Sequence, residues 1–131
     1  MYDSYRTSKK ESLEEIHHLV DSSQTIKNNT FKVYYKDGSI AIRLHWTDVI
    51  TFYKDKVKLN AGSWQSHTTK SRINEHLPCG RVVQEKHIWY VCGSNGKFLF
   101  VNGIMLDYNG YILSIDGDIL WEGQDIIIEE D

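Results

Sequence analysis

The sequence has few of the features that mark secreted and membrane proteins. Its 131 residues include two cysteines, Cys79 and Cys92, which are too few for a disulfide framework. No apolar run approaches the roughly 20 residues of a membrane helix. The first residues, 1–11, contain no apolar segment of the signal-peptide type. These absences predict a soluble cytoplasmic protein without membrane contact.

Basic residues are missing from the C-terminal part of the chain. All 15 Lys and Arg residues lie at or before Lys97, where they stand against 10 acidic residues, whereas residues 98–131 hold 8 acidic residues and no basic one. Either the two parts attract each other within the fold, or the acidic part has a partner of its own. The acidic and aromatic residues that predict a protein-binding surface there are Trp121, Glu122, Asp125, Glu129 and Glu130.

The residues that are present favour β-structure. Aromatic residues make up 12% of the chain, and they fit the pleated surface of a sheet. Apolar residues alternate over 31–35 and again over 40–44, and Asp37-Gly38 between them predicts a hairpin with a type I′ turn. Further strands are predicted over 49–53, 57–59, 81–85 and 88–92.

Two helices are predicted. Residues 7–21 carry two successive capping-box patterns, at 8–11 and 12–15, with a thin apolar stripe, and the polar residues 21–24 then read as a linker. A second, short helix is predicted over about 69–77, capped by Thr68 or Thr69 and ended by Pro78, the single proline.

A repeat occupies the last third of the chain. Asn-Gly or Asp-Gly pairs recur every seven residues, at 95–96, 102–103, 109–110 and 116–117, and each unit has Leu in its fifth place. Short strands joined by tight turns explain this period and predict a C-terminal β-meander. The expected fold is therefore α+β and β-rich, with an N-terminal helix and linker (1–28), a β-rich core (29–106) and an acidic β extension (107–131).

Three motifs lie between residues 44 and 74. They read Leu-His-Trp-Thr-Asp-Val at 44–49, Leu-Asn-Ala-Gly-Ser-Trp at 59–64 and Thr-Thr-Lys-Ser-Arg-Ile-Asn at 68–74. In these motifs the chain resembles a family of small uncharacterised proteins that is common in bacteriophage genomes. The resemblance covers residues 40–106, with the N-terminal helix and the last 25 residues as additions. It implies a phage protein in the cytoplasm of a bacterial host, and it implies no mechanism.

The third motif also predicts a ligand site. Two cations near the start of a helix, together with capping hydroxyls and free backbone amides, suit an anion such as phosphate, and a Trp and a His just upstream can stack on a base. The predicted ligand-binding residues are Trp64, His67, Thr68, Thr69, Lys70 and Arg72. The predicted partner is nucleic acid or a nucleotide. The alternative is that the threonines only cap the helix, Trp64 packs in the core and the cations face solvent.

Metal binding and catalysis have weaker signals. Histidines and cysteines cluster at His67, His76, Cys79, His87 and Cys92, but no second close pair accompanies His76 and Cys79, as zinc modules require. No nucleotide-binding glycine loop, nucleophile elbow or His-Glu-x-x-His motif is present. The sequence thus predicts a binding protein without metal, cofactor or enzymatic activity, acting on nucleic acid or on a host or phage protein.

Overall fold

The computed structural model describes residues 19–121, and within them it contains ten strands and one helix. The elements are β1 Val20–Lys27, β2 Thr30–Tyr35, β3 Ile40–Leu44, β4 Thr47–Phe52, β5 Lys56–Leu59, α1 His67–His76, β6 Arg81–Glu85, β7 Ile88–Gly93, β8 Gly96–Leu99, β9 Met105–Asp107 and β10 Ile112–Leu113. The predicted β-rich class is confirmed.

The described strands form two antiparallel sheets. Seven of them follow the order β1-β2-β3-β4-β5-β9-β10, and β6, β7 and β8 form a separate three-stranded meander. Neighbours along the chain pair through short connections in both sheets, as antiparallel hairpins allow. The one non-sequential pairing in the larger sheet, β5 with β9, spans the helix and the smaller sheet.

A single core joins both sheets and the helix. Ile42, Ile50 and Leu59 point into it from the larger sheet, Phe98 from the smaller sheet, and Ile73 from α1. Full burial of such side chains stabilises the fold by about 1.5–3 kcal/mol each. Because strand side chains alternate between faces, the intervening residues in the regular parts of the larger sheet point to its opposite side, here called the second face.

The N-terminal linker was wrongly predicted. Residues 21–24 belong to β1, which pairs with β2 at the edge of the larger sheet and leaves seven of its eight side chains exposed. An edge strand of this kind needs no apolar alternation, so its polar sequence resembled a linker. Of the predicted helix at 7–21, residues 7–18 lie outside the described residues, Leu19 is helical, and the last two positions begin β1.

The type I′ turn at Asp37-Gly38 is also wrong. The loop is a four-residue turn in which the Gly38 amide donates to the Tyr35 carbonyl at 3.0 Å, and the Tyr35 amide donates to Ser39. Gly38 has a φ of 93°, whereas Asp37 keeps a negative φ and accepts from the Ser39 amide at 2.9 Å. Glycine therefore serves the bulge position after a type I turn. The turns that end at Gly110 and Gly117 repeat this hydrogen-bond pattern.

The C-terminal repeat does not form one continuous meander. All four of its glycines have positive φ, so the turns fall where the sequence places them. However, β8 belongs to the smaller sheet, whereas β9 and β10 belong to the larger one. Ile112 of β10 is fully buried in the common core. The repeat thus fixes the turn positions but says nothing of which sheet each strand joins.

Candidate functional site

A β-bulge brings two opposite charges together on the second face. In the register between β3 and β4, Ile42 faces Ile50, but the next residue, Arg43, faces Asp48. The extra residue, Val49, turns into the core, where it is 1% exposed. The bulge therefore turns Asp48 towards Arg43 instead of towards the core.

Arg43, Asp48 and Tyr35 form a closed hydrogen-bonded triad. The Arg43 Nε donates to Asp48 Oδ1 at 2.8 Å, and Nη2 donates to the Tyr35 hydroxyl at 2.8 Å. The same hydroxyl donates to Asp48 Oδ2. Burial, and next the hydrogen bond to Asp48, raise the pKa of Tyr35 to about 12, so its hydroxyl stays protonated. The triad fixes the guanidinium in one orientation.

Arg43 keeps one nitrogen for other partners. Its Nη1 makes no hydrogen bond with residues 19–121. No buried side-chain nitrogen or oxygen within that range lacks a hydrogen-bond partner, so Nη1 must be reachable by solvent although the side chain is only 11% exposed. A guanidinium that is held on one edge and open on the other is suited to an anion.

The first concavity beside Arg43 holds about 350 Å³ and is here called the hairpin concavity. Its lining residues are Ser23, Asn29, Phe31, Val33, Arg43, His45 and Trp46. Phe31, Val33 and Trp46 make apolar walls, whereas Arg43 is its one formal charge. Trp46 stands in the two-residue loop between β3 and β4 and is 70% exposed. This combination suits a planar ligand that carries negative charge.

A larger concavity, of about 500 Å³, lies on the other side of Arg43. Its charged lining residues are two cations, Arg43 and Lys58, and two acids, Asp37 and Asp48. Because these charges balance, the larger concavity has no electrostatic preference for an anion. The hairpin concavity, with a cation and no acid, is the better candidate.

The three motifs meet at a further concavity, of about 420 Å³, here called the helix-side concavity. His45 and Thr47 line it from the first motif, Ser63 and Trp64 from the second, and Thr68 from the third. Trp64 is 76% exposed, unlike Trp89, which is buried and packs edge-on against Phe100 at 5.3 Å. His45 lines both this concavity and the hairpin concavity, so the two adjoin at the β3–β4 loop.

An asparagine of the turn repeat holds the loop that carries Trp64. Asn102 Oδ1 accepts from the Ala61 amide, and its Nδ2 donates to the Gly62 carbonyl, both at 2.8 Å. Gly62 has a φ of 73°, and a Cβ there would lie 3.0 Å from Thr47 Oγ1. The loop therefore packs directly on the first motif, and glycine is needed for this approach.

The helix start differs from the prediction. Ser66 caps α1 by accepting from the Thr69 amide at 3.1 Å, so neither Thr68 nor Thr69 is the cap. Lys70 is the fourth helical residue and donates to Gln84 at 2.9 Å. Arg72 lies in the second turn, donates to Thr30 at 2.9 Å and stands 3.9 Å from Glu75. The two cations therefore do not meet at the helix N-terminus.

The other predicted ligand residues lie closer to one another. Trp64, Thr68 and Thr69 all line the helix-side concavity, although Thr69 is buried and hydrogen-bonded to Ser66 at 2.9 Å. His67 is exposed and lines a shallow groove with Lys70. Contrary to the alternative considered from sequence, Trp64 is not in the core. A ligand role for these residues stays a prediction.

Sequence reasoning missed Arg43, Trp46 and Tyr35. The available signal was an arginine between two apolar strand residues, Ile42 and Leu44, since a cation at such a position requires a partner when it is partly buried. The partner's identity depends on the bulge, which has no clear sequence signature. Trp46 lies in the loop between β3 and β4, and most of its surface is exposed.

The predicted C-terminal site is described only at its first residue. Trp121 is 67% exposed, and Glu122, Asp125, Glu129 and Glu130 lie outside the described residues. Within residues 19–121, no group of three His, Cys, Asp or Glu side chains is placed to hold a metal ion. Over the same range, no helix has the length and apolar character needed to cross a membrane.

Comparison with protein families places the chain. Residues 7–107 match the model of the Kyanoviridae Gp96 protein, a phage protein family. The chain belongs to this family. The match begins at residue 7, so the N-terminal segment that the sequence resemblance left out belongs to the family region, whereas residues 108–131 lie beyond it. No curated protein and no solved structure matches the chain.

Proposed function

We propose that this protein is a non-enzymatic phage accessory protein that binds nucleic acid or a nucleotide in the hairpin concavity. The observation that carries the proposal is the edge of Arg43 that makes no hydrogen bond with residues 19–121, since Asp48 and Tyr35 hold the other edge and the side chain lines a concavity with apolar walls. A phosphate group accepts hydrogen bonds from this edge, and a base stacks on Trp46. The proposed site therefore lies at the β3–β4 loop and not at the start of α1, where the sequence predicts it.

The chemistry of the lining residues supports a nucleotide unit over other anions. A free inorganic anion would leave the apolar surface of Phe31, Val33 and Trp46 uncovered, and an uncharged aromatic compound would leave the Arg43 guanidinium without an anionic partner. The side chains of Asn29 and His45 add hydrogen-bonding groups at the rim. A base, a sugar and a phosphate together use all three kinds of surface.

The test is direct binding of a fluorescein-labelled oligothymidylate, followed by anisotropy. We expect binding that weakens as salt rises, and about tenfold weaker binding for Trp46→Ala because a stacked base is lost. Arg43→Lys keeps the charge but loses the planar fork, so we expect a similar loss. Lys86→Ala is the matched control, since Lys86 lies in the β6–β7 turn, outside the lining residues of the hairpin concavity.

Two results would contradict the proposal. One is the absence of binding at low salt by a protein whose thermal unfolding is normal. The other is binding by Trp46→Ala and Arg43→Lys that equals binding by the wild type. Thermal unfolding of each variant separates a lost contact from a lost fold.

A second candidate function is a protein interaction at the C-terminal strands. Three large apolar side chains, Ile115, Ile119 and Trp121, are more than half exposed there, beside the acidic Asp116 and Asp118. Exposed apolar residues with acidic neighbours suit a partner that has basic residues around an apolar patch. The test is capture of a host or phage protein that Trp121→Ser loses and Arg43→Lys retains.

A further inference from the structure

We infer that the ligand is a single strand of more than one nucleotide, with a second base bound at Trp64 in the helix-side concavity. This inference rests on the proposed function and names its substrate class. It goes beyond a single nucleotide site because a second concavity with its own exposed indole adjoins the first.

The two concavities adjoin at a shared lining residue. His45 lines both of them, and it occupies the same two-residue loop as Trp46. His45 has a φ of 56°, so the chain turns sharply at the residue that the two concavities share. A ligand that fills the hairpin concavity therefore passes directly over His45 to reach Trp64.

The Trp64 side chain is exposed at the surface of the helix-side concavity. It makes no hydrogen bond, ion pair or ring contact with residues 19–121, and three quarters of its surface is exposed. Its loop is nevertheless fixed, because Asn60 accepts from the Gly62 amide at 2.7 Å and Asn102 bridges Ala61 and Gly62. An exposed indole on a fixed loop is a stacking surface whose backbone needs no ordering on binding.

Two separate stacking surfaces favour a single-stranded nucleic acid over a duplex. In a duplex the faces of the bases are covered by their neighbours, so two separate indoles can stack only on bases that are unpaired and unstacked. The polar groups that line this concavity with Trp64 include the hydroxyls of Thr47, Ser63 and Thr68. These uncharged groups can hydrogen-bond a sugar or a base edge without requiring a particular base.

The experiment compares ligands of different length on the intact protein. Thymidine 5′-monophosphate, the dinucleotide and longer oligothymidylates are titrated by calorimetry, together with a duplex of the same length as the longest strand. We expect affinity to rise about tenfold once the ligand covers both concavities, since that is the contribution of one stacked base. Duplex is expected to bind more weakly than the single strand.

Two variants make the assignment specific. Trp64→Ala should abolish the gain with length and leave binding of the mononucleotide unchanged. Trp46→Ala should weaken both ligands. Both residues are exposed, so both variants should fold, which thermal unfolding checks.

The possible failures are distinguishable. If neither the mononucleotide nor the strand binds, the proposed function fails and the inference falls with it. If both bind equally, or if Trp64→Ala leaves the gain with length unchanged, the inference is overturned and the proposed function survives. Equal binding of duplex and single strand also overturns the inference.

Discussion

Two arginines, Arg43 and Arg72, adjoin or lie within the motifs that the sequence singles out, and the fold uses them in different ways. Arg72 donates to Thr30 and lies near Glu75, so it joins the helix to the hairpin of the larger sheet. Arg43 is tied to Asp48 and Tyr35, its Nη1 makes no hydrogen bond with residues 19–121, and its side chain lines the hairpin concavity. Arg72 Nη2 also makes no hydrogen bond with residues 19–121, so the two arginines differ in their surroundings: Arg43 lines two of the three concavities named above, and Arg72 lines none of them.

The helix motif and the β3–β4 loop differ in the same way as these two arginines. In the helix motif, Thr69, Ile73 and Asn74 face inward, and each supports the packing of α1. In the β3–β4 loop, Trp46 points outward. A motif of polar residues therefore does not identify a site, because polar side chains also satisfy the backbone of the fold.

The largest expected effect is a loss of stability caused by a substitution in the helix motif. Asn74 donates to the Val82 carbonyl and accepts from the Val82 amide, both at 2.8 Å, and so covers the edge of β6. Asn74→Ala leaves both groups of a buried residue without a partner and should lower the free energy of unfolding by about 3 kcal/mol. Urea denaturation measures it. Asn109→Ala, at an exposed turn, is the matched control, and an equal loss there would contradict the assignment.

The sequence predicts much of the fold because its signals are local. Alternating apolar residues place β2, β3 and the β6–β7 pair, and the glycines of the repeat mark every C-terminal turn. Strand β1 escaped prediction because an edge strand can be polar along its length. Which sheet β8 and β9 join depends on packing in the common core, and no local pattern carries that information.

The candidate site depends on contacts that are distant in sequence. Asn102 lies in a turn of the C-terminal repeat, yet its Oδ1 accepts from the Ala61 amide, 41 positions away in sequence. The pairing of Arg43 with Asp48 requires the bulge at Val49, which forms because Val49 and Ile50 are both buried in the core. Whether a strand keeps its regular alternation or forms a bulge is therefore decided by the tertiary structure.

The second prediction tests whether the turn asparagines support the site or only the fold. Asn102→Ala removes two hydrogen bonds and should cost about 2 kcal/mol in the free energy of unfolding. It should also weaken binding of an oligothymidylate, because the Trp64 loop loses its support, and leave the mononucleotide unaffected. Asn95 is the matched control, since it bonds to Ile112 and Leu120 outside both concavities. If Asn95→Ala weakens oligonucleotide binding equally, Asn102 has no specific role.

The third prediction compares the two arginines directly. Arg72→Ala should lower the free energy of unfolding by about 1 kcal/mol, since it loses its hydrogen bond to Thr30. Its affinity for an oligothymidylate should stay within about a factor of two of the wild type, against the tenfold loss expected of Arg43→Lys. Fluorescence anisotropy measures both variants. A loss of affinity in Arg72→Ala that matches that of Arg43→Lys would return the site to the helix.

The smallest expected effect concerns Tyr35, the residue that completes the fixation of Arg43. Because burial and the hydrogen bond to Asp48 raise its pKa to about 12, the folded state favours the neutral phenol. The stabilisation by the triad is then complete below about pH 10, where an unfolded tyrosine is also protonated, and it is lost as the pH rises through about 12. The difference between the absorbance titrations of the wild type and Tyr35→Phe isolates this one group among the eight tyrosines. If the group missing from Tyr35→Phe titrates near the ordinary tyrosine value, the hydroxyl is not held by Asp48, and Arg43 then lacks the rigid orientation on which its proposed role in binding depends.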